Sequence, residues 1–298
     1  MKVGFIGCVQ SSSRALNLLL QLEPGLVEIV GVVTKKSSEI NADFVDLGPI
    51  CEANDIPYHY EVAKERDKSI DFMRELKPDV IYCFGWSYLL PEELMKIPPL
   101  GIIGFHPAKL PQNRGRHPII WALALGLSET ASSFFRIDKG TDSGPLISQE
   151  IIKIHPHDNA STLYKKILNA SDIQIRRFTR ELANGSAYFR EQNHADANYW
   201  RKRNRDDGRI DWRMGAGDIH NLIRALHKPY PGAEYHVGDL VVKAWKSSVS
   251  EAKHPTNIEP GRVLEVVGSR VLVKCAHESA IWLEEFEPQI ALHRWQCL

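Results

Sequence analysis

Apolar positions along the first 150 residues follow two rhythms. Short, nearly continuous apolar runs occur at Lys2–Gly7, Leu26–Thr34, Pro78–Trp86 and Gly101–His106, with a weaker one at Ile56–Glu61. Between them, Ser13–Leu22, Asp43–Asn54 and Asp67–Leu76 read as helices, the last the most polar. Near-continuous strands spaced by helices predict a parallel sheet covered on both faces, because a strand buried on both sides has no polar face to alternate with. Ligands of such sheets bind beyond the carboxyl ends of the strands. His106 and the stretch Gly85–Leu90 fall at those ends.

Two further strands, Glu129–Asp138 and Pro145–Ile154, and a long helix over Ser161–Leu182 complete this region. Asn184–Arg209 is polar, charged and poor in aliphatics, which predicts a linker or a wrapping loop. A helix at Ala216–Leu226 follows, then short strands near Tyr235–Lys243, Gly261–Val266, Arg270–Cys275 and Ala280–Glu285, the spacing of a small β-barrel or sandwich. The expected architecture is α/β: a Rossmann-like parallel-sheet domain over 1–185, a linker over 186–209 and a smaller β-barrel-like (OB-like) domain over 210–298.

Charge narrows the classes of partner. The chain carries 37 basic and 37 acidic residues, so no global field draws it to nucleic acid or anionic lipid. The N-terminal apolar run is too short for a signal peptide, and no stretch approaches the roughly 20 apolar residues that span a bilayer. The five cysteines lie far apart, without paired metal spacing, and four sit in or beside apolar runs, as buried reduced thiols do. These features predict a cytoplasmic protein. Gly4 and Gly7 lack the three-glycine spacing of a dinucleotide site and read as close-packing positions.

The candidate chemistry centres on His106, which ends a buried strand and is followed by Pro107 and the basic, proline-rich stretch Ala108–Pro118. Asp142, between Gly140 and Gly144, stands at another sheet edge. Alone, the histidine reads as a structural group and the aspartate as a turn residue. Together they place a carboxylate near an imidazole, which orients the ring and favours its protonated form. His155 and His157 precede a helix that Asp158 or Asn159 can cap, and no metal site is expected there.

The pattern His106-Pro107, Leu110-Pro111, Arg114-Gly115, Pro118 with the later Asp142-x-Gly144 resembles that of the folate-dependent formyltransferases. Phe84–Pro91 is similar to the family's pterin loop, and Gly208–Trp212 and Ile223–Ala233 look like its second-domain motifs. The resemblance implies transfer of a formyl group from 10-formyltetrahydrofolate to a primary amine, without a metal. It implies catalytic roles for His106 and Asp142, and a folate site at Phe84, Gly85, Trp86, Ser87, Tyr88, Leu89 and Leu90 with Asp138 and Asp142. It places an acceptor site at Lys109, Arg114, Arg116, Trp200 and Arg201. One departure stands out: the family usually carries Asn-x-His, whereas this chain has Gly104-Phe105-His106, leaving position 104 without the amide that would face the oxyanion.

Three acceptor readings follow. A nucleotide-linked amino sugar suits the balanced charge, and Arg114–Gly126 looks closer to sugar formyltransferases of bacterial surface-polysaccharide pathways. That resemblance suggests a UDP-linked sugar of the pseudaminic-acid pathway. A methionyl-tRNA acceptor would require many neutralised phosphates. A non-catalytic folate- or nucleotide-binding module is the third, motivated by Gly104. The expected partner is thus a small-molecule nucleotide sugar, with neither nucleic acid nor membrane, and with a homodimer left open.

Overall fold

A computed structural model describes residues 1–39, 41–62 and 65–298. In chain order the elements are β1 (Lys2–Ile6), α1 (Gln10–Leu20), β2 (Glu28–Thr34), α2 (Gly48–Glu52), β3 (Tyr58–Tyr60), α3 (Arg66–Leu76), β4 (Val80–Cys83), α4 (Glu92–Met95) and β5 (Ile102–His106). They continue through β6 (Arg114–Gly115), α5 (Pro118–Ala124), β7 (Glu129–Arg136), β8 (Leu146–Lys153), α6 (Ala160–Ala183) and β9 (Tyr199–Trp200). The last are α7 (Ala216–Ala225), β10 (Ala233–Val237), β11 (Leu240–Val249), β12 (Val263–Val267), β13 (Arg270–Lys274) and β14 (Ala280–Glu287). The chain forms two compact units. One comprises 1–115, 131–152 and 166–199, and the other 116–130, 153–165 and 200–298.

The first unit is built on a seven-stranded sheet of order β3-β2-β1-β4-β5-β7-β8. The pairs β1–β2, β2–β3, β1–β4 and β4–β5 are parallel, as the apolar runs predict. β5 and β7 are antiparallel, with Gly104 opposite Phe135 and His106 opposite Ser133, so the sheet is mixed rather than wholly parallel. The connection between them carries the seven-residue helix α5 and leaves β7 running against β5. β7 therefore starts at the end where β5 stopped. The strand order reverses between β1 and β4, the place where open α/β sheets bind ligands. Gly7 lies just past β1, and a Cβ there would meet Phe84 O at 2.5 Å, so it is a packing position. Phe5, Tyr82, Phe84, Phe134 and Phe178 share one buried cluster between the sheet, α1 and α6.

The second unit holds a five-stranded antiparallel sheet, β10-β11-β14-β13-β12, with α7 packed on β11 and β14. The region expected as one strand near Tyr235–Lys243 is a hairpin, turned at Gly238 with φ +58°. No helix among the described residues is long and apolar enough to cross a membrane.

Candidate active site

His106 ends β5 with its side chain only 6% exposed. Its Nδ1 lies 3.5 Å from Asp142 Oδ2, and its Nε2 lies 2.8 Å from the Asn113 carbonyl oxygen. Both ring nitrogens thus face acceptors, and only a ring protonated at both can donate to both. Asp142 sits at φ +51°, a left-handed backbone that few side chains other than Asn and Asp adopt readily. Its Oδ2 also accepts from the Gly115 backbone N–H at 2.9 Å, which fixes the carboxylate against the His106 loop. Asp138 closes the turn that delivers it, its Oδ1 accepting from Gly140 N at 3.0 Å and Ser143 Oγ at 2.6 Å.

The loops are tied from behind by two residues. Arg114, 1% exposed, donates from Nη1 to Tyr199 Oη (2.9 Å) and from Nη2 to Gln192 Oε1 (2.8 Å), with His194 Nδ1 at 3.2 Å. Gln192 in turn donates to the carbonyls of Asp142 (3.0 Å) and Gly144 (2.6 Å). Arg114, expected at the acceptor site, is a brace in this structure. Gln192 had no signal in the sequence: it is a buried residue inside an otherwise polar, exposed run. Lys109 is half-buried on the same loop. Gly104 is buried, and a Cβ there would meet Ile137 Cγ1 at 2.9 Å and Phe135 Cζ at 3.0 Å. Two apolar side chains occupy the flank that an amide would need.

The loop after β4 runs across the switch point. Phe84 is buried in the core, and Gly85 has φ +68° with Val9 Cγ2 only 2.0 Å from where a Cβ would stand. Trp86 and Tyr88 meet edge to face at 6.2 Å, and the Lys35 ammonium lies 5.2 and 4.0 Å from their ring centres. The Arg66 guanidinium covers Tyr88 at 4.9 Å, and Ser87 Oγ donates to Asn41 Oδ1 at 3.1 Å. Leu89 is exposed, whereas Leu90 packs with Trp86 beside Ile6 and Ile70. The cleft beneath the loop includes Ser69, whose buried Oγ has no partner among the described residues.

The remaining expected residues belong to the second unit. The Arg116 backbone N–H donates to Trp200 O at 3.0 Å. Trp200 stacks on Trp121, with centroids 6.3 Å apart and planes 26° apart, and Arg203 lies over Trp121 at 4.5 Å. Arg201 grips Asp207 with both terminal nitrogens, at 2.7 and 2.5 Å, and holds that carboxyl well below the usual carboxylate range. Trp121 and Arg203 were not among the expected site residues: the first falls in an apolar helical run and the second in a charged stretch in which only Trp200 and Arg201 were named.

A family model for formyl transferases matches residues 1–177, and one for the formyl transferase C-terminal domain matches 202–291. The chain belongs to the formyl transferase family. It is 30% identical over 292 residues to the methionyl-tRNA formyltransferase of Clostridioides difficile (strain 630), covering 96% of this chain and 92% of that one. It is 31% identical over 278 residues to the bifunctional polymyxin resistance protein ArnA of Wigglesworthia glossinidia brevipalpis, covering 93% of this chain but only 40% of that relative. Among solved structures, WlaRD, a sugar 3N-formyl transferase crystallised in the presence of dTDP and 5-N-formyl-THF, superposes with a TM-score of 0.72 at 16% identity, covering 97% of this chain and 99% of that one. The first matched region holds the parallel-dominated sheet and the second the five-stranded antiparallel sheet. Among the described residues no group of three or more histidines, cysteines or carboxylates could hold a metal ion.

Proposed function

We propose that this formyltransferase moves a formyl group from 10-formyltetrahydrofolate to the primary amine of a nucleotide-linked amino sugar. The observation that carries the chemistry is His106, buried at the strand end between Asp142 and the Asn113 carbonyl. The folate is assigned to the loop Phe84–Pro91, beneath which Ile6, Ile70, Leu90 and Leu94 line a narrow cleft and the buried Ser69 Oγ has no partner among the described residues. Bound there, the folate supplies the activated formyl carbon. The amine nitrogen would bond to that carbon, the carbonyl electron pair would move onto oxygen, and its return would break the bond to the donor nitrogen. One proton passes from the amine to that nitrogen. His106 serves as the relay for that proton, and Asp142 with the Gly115 N–H keeps the ring in register.

The balanced charge, 37 basic against 37 acidic residues, supports a small acceptor over tRNA, which would engage many phosphates. WlaRD, described with dTDP, supports the same class. The stacked Trp121–Trp200 pair with Arg203 suits a base and a phosphate. The test is a panel of UDP-, dTDP- and GDP-linked amino sugars with 10-formyltetrahydrofolate, read by mass spectrometry for a formyl gain, with charged initiator tRNA as a separate arm. Formylation of the tRNA alone, with a steep salt dependence, would overturn the sugar reading. No product with any amine would leave a binding module.

A further inference from the structure

Transfer of a formyl group puts negative charge on its oxygen, and such sites stabilise that charge with preorganised donors. His106 alone is a thin provision, since its Nε2 is already aimed at the Asn113 carbonyl. Four neighbouring side-chain donors are already engaged. Gln192 Nε2 serves the carbonyls of Asp142 and Gly144, and Ser143 Oγ serves Asp138. Gln149 Nε2 serves Leu110 O and Ser133 Oγ, while Ser133 Oγ itself donates to Ala108 O. Position 104, two residues before the histidine, is glycine, walled by Ile137 and Phe135.

Asn113 differs from all of these. Its backbone is fixed at φ +63°, its N–H donates to Asn198 Oδ1 at 2.5 Å, and the next N–H, of Arg114, donates to Asn198 O at 3.1 Å. Its carbonyl sits on His106 Nε2. The main chain on both sides is therefore held, yet the side-chain amide has no hydrogen-bond partner among the described residues and is half-exposed. We propose that Asn113 is a catalytic residue whose side-chain amide donates to the formyl oxygen as charge develops there, supplying the donor that Gly104 cannot. The proposal rests on the formyltransferase reading. It adds no bond change to the transfer above: Nδ2–H hydrogen-bonds the oxygen and releases it when the carbonyl reforms.

Asparagine also tolerates a left-handed backbone, and the experiment separates that role from the amide. Asn113→Gly keeps the φ and the carbonyl on His106 but removes the amide. Asn113→Asp keeps the shape and the backbone preference without an N–H. Both variants are expected to lose about 10²-fold in kcat, the size of one oxyanion donor, with KM for either substrate changed less than about threefold. A kcat for Asn113→Gly near that of the unaltered chain would overturn the proposal. A second readout needs no turnover: titration of the 15N-labelled chain with the stable N10-formyl analogue 10-formyl-5,8-dideazafolate. The Asn113 Nδ2 resonances, assigned by their loss in Asn113→Gly, should shift together with the Trp86 indole signal. If Trp86 shifts and Asn113 does not, the proposal fails. If the unaltered chain formylates nothing while both shift, the functional reading fails and the contact stands.

Discussion

Replacing Gly104 by asparagine restores the residue type that the Asn-x-His pattern carries, and its outcome is set by packing. The new Cβ would stand 2.9 Å from Ile137 Cγ1, 3.0 Å from Phe135 Cζ and 3.1 Å from Ile137 Cδ1. Contacts that short force neighbours to move, and Phe135 lies at 4% exposure on a strand directly paired with β5, so only Ile137 has room to yield. Overpacking of this kind costs about 1–3 kcal/mol. The amide would also enter an apolar wall without a partner, at about 1–3 kcal/mol more. A total of about 2–6 kcal/mol should lower the unfolding midpoint by roughly 3–10 °C in a chain of this size. Scanning calorimetry reads the stability, and initial-rate formylation under saturating substrates reads the activity. The variant should melt early and turn over no faster than the parent chain. A Gly104→Asn enzyme with unchanged midpoint and a kcat raised tenfold or more would refute the reasoning, for it would mean that the space at 104 is open and a donor is wanted there.

Three other outcomes follow from the same geometry. His106→Asn and Asp142→Asn should each lower kcat severely, and the double variant should be little worse than the poorer single, since the 3.5 Å pair acts as a unit; multiplicative losses would show independent roles. Arg114→Met should destabilise by about 2–4 kcal/mol in denaturant unfolding, because it strands Gln192 Oε1 in a buried loop junction; a loss under 0.5 kcal/mol would remove the brace. Burial, with Arg224 next, pushes the His220 imidazole below its ordinary value, so the unfolded chain binds the proton more readily. Stability from this group is full above about pH 6.5 and falls as pH drops through the folded value, and His220→Gln should flatten the slope of the unfolding midpoint between about pH 7 and 5. An unchanged slope would rule His220 out.

How much of this was legible depends on how local the cause is. β1, β4 and β5 lie within their apolar runs because burial on both faces leaves a continuous signature. His106 and Asp142 were legible as a pair through their strand-end positions, and the structure brings them together across 36 residues of chain. Helix α2 covers only Gly48–Glu52 of the expected Asp43–Asn54, because Pro49 lacks an N–H and suits only the first turn of a helix. The direction of β7 was hidden, since strand sense depends on where the preceding connection leaves the chain and not on the strand's own residues.

The segment after α6 shows why polarity was misleading. A run poor in aliphatics reads as solvated chain, yet Gln192 is 5% exposed and meets three polar partners: Asp142 O, Gly144 O and the Arg114 guanidinium. Loops at the end of a sheet present carbonyls and N–H groups with no ladder to join, and burying them unpaired would cost about 1–3 kcal/mol each. An apolar strap could not satisfy them. A side chain with both donor and acceptor can, and Asn198 repeats the device at Asn113 and Arg114 with one side-chain and one backbone oxygen. The amides of this segment are therefore complementary to the loops that hold His106 and Asp142, and their polarity reports what they cover.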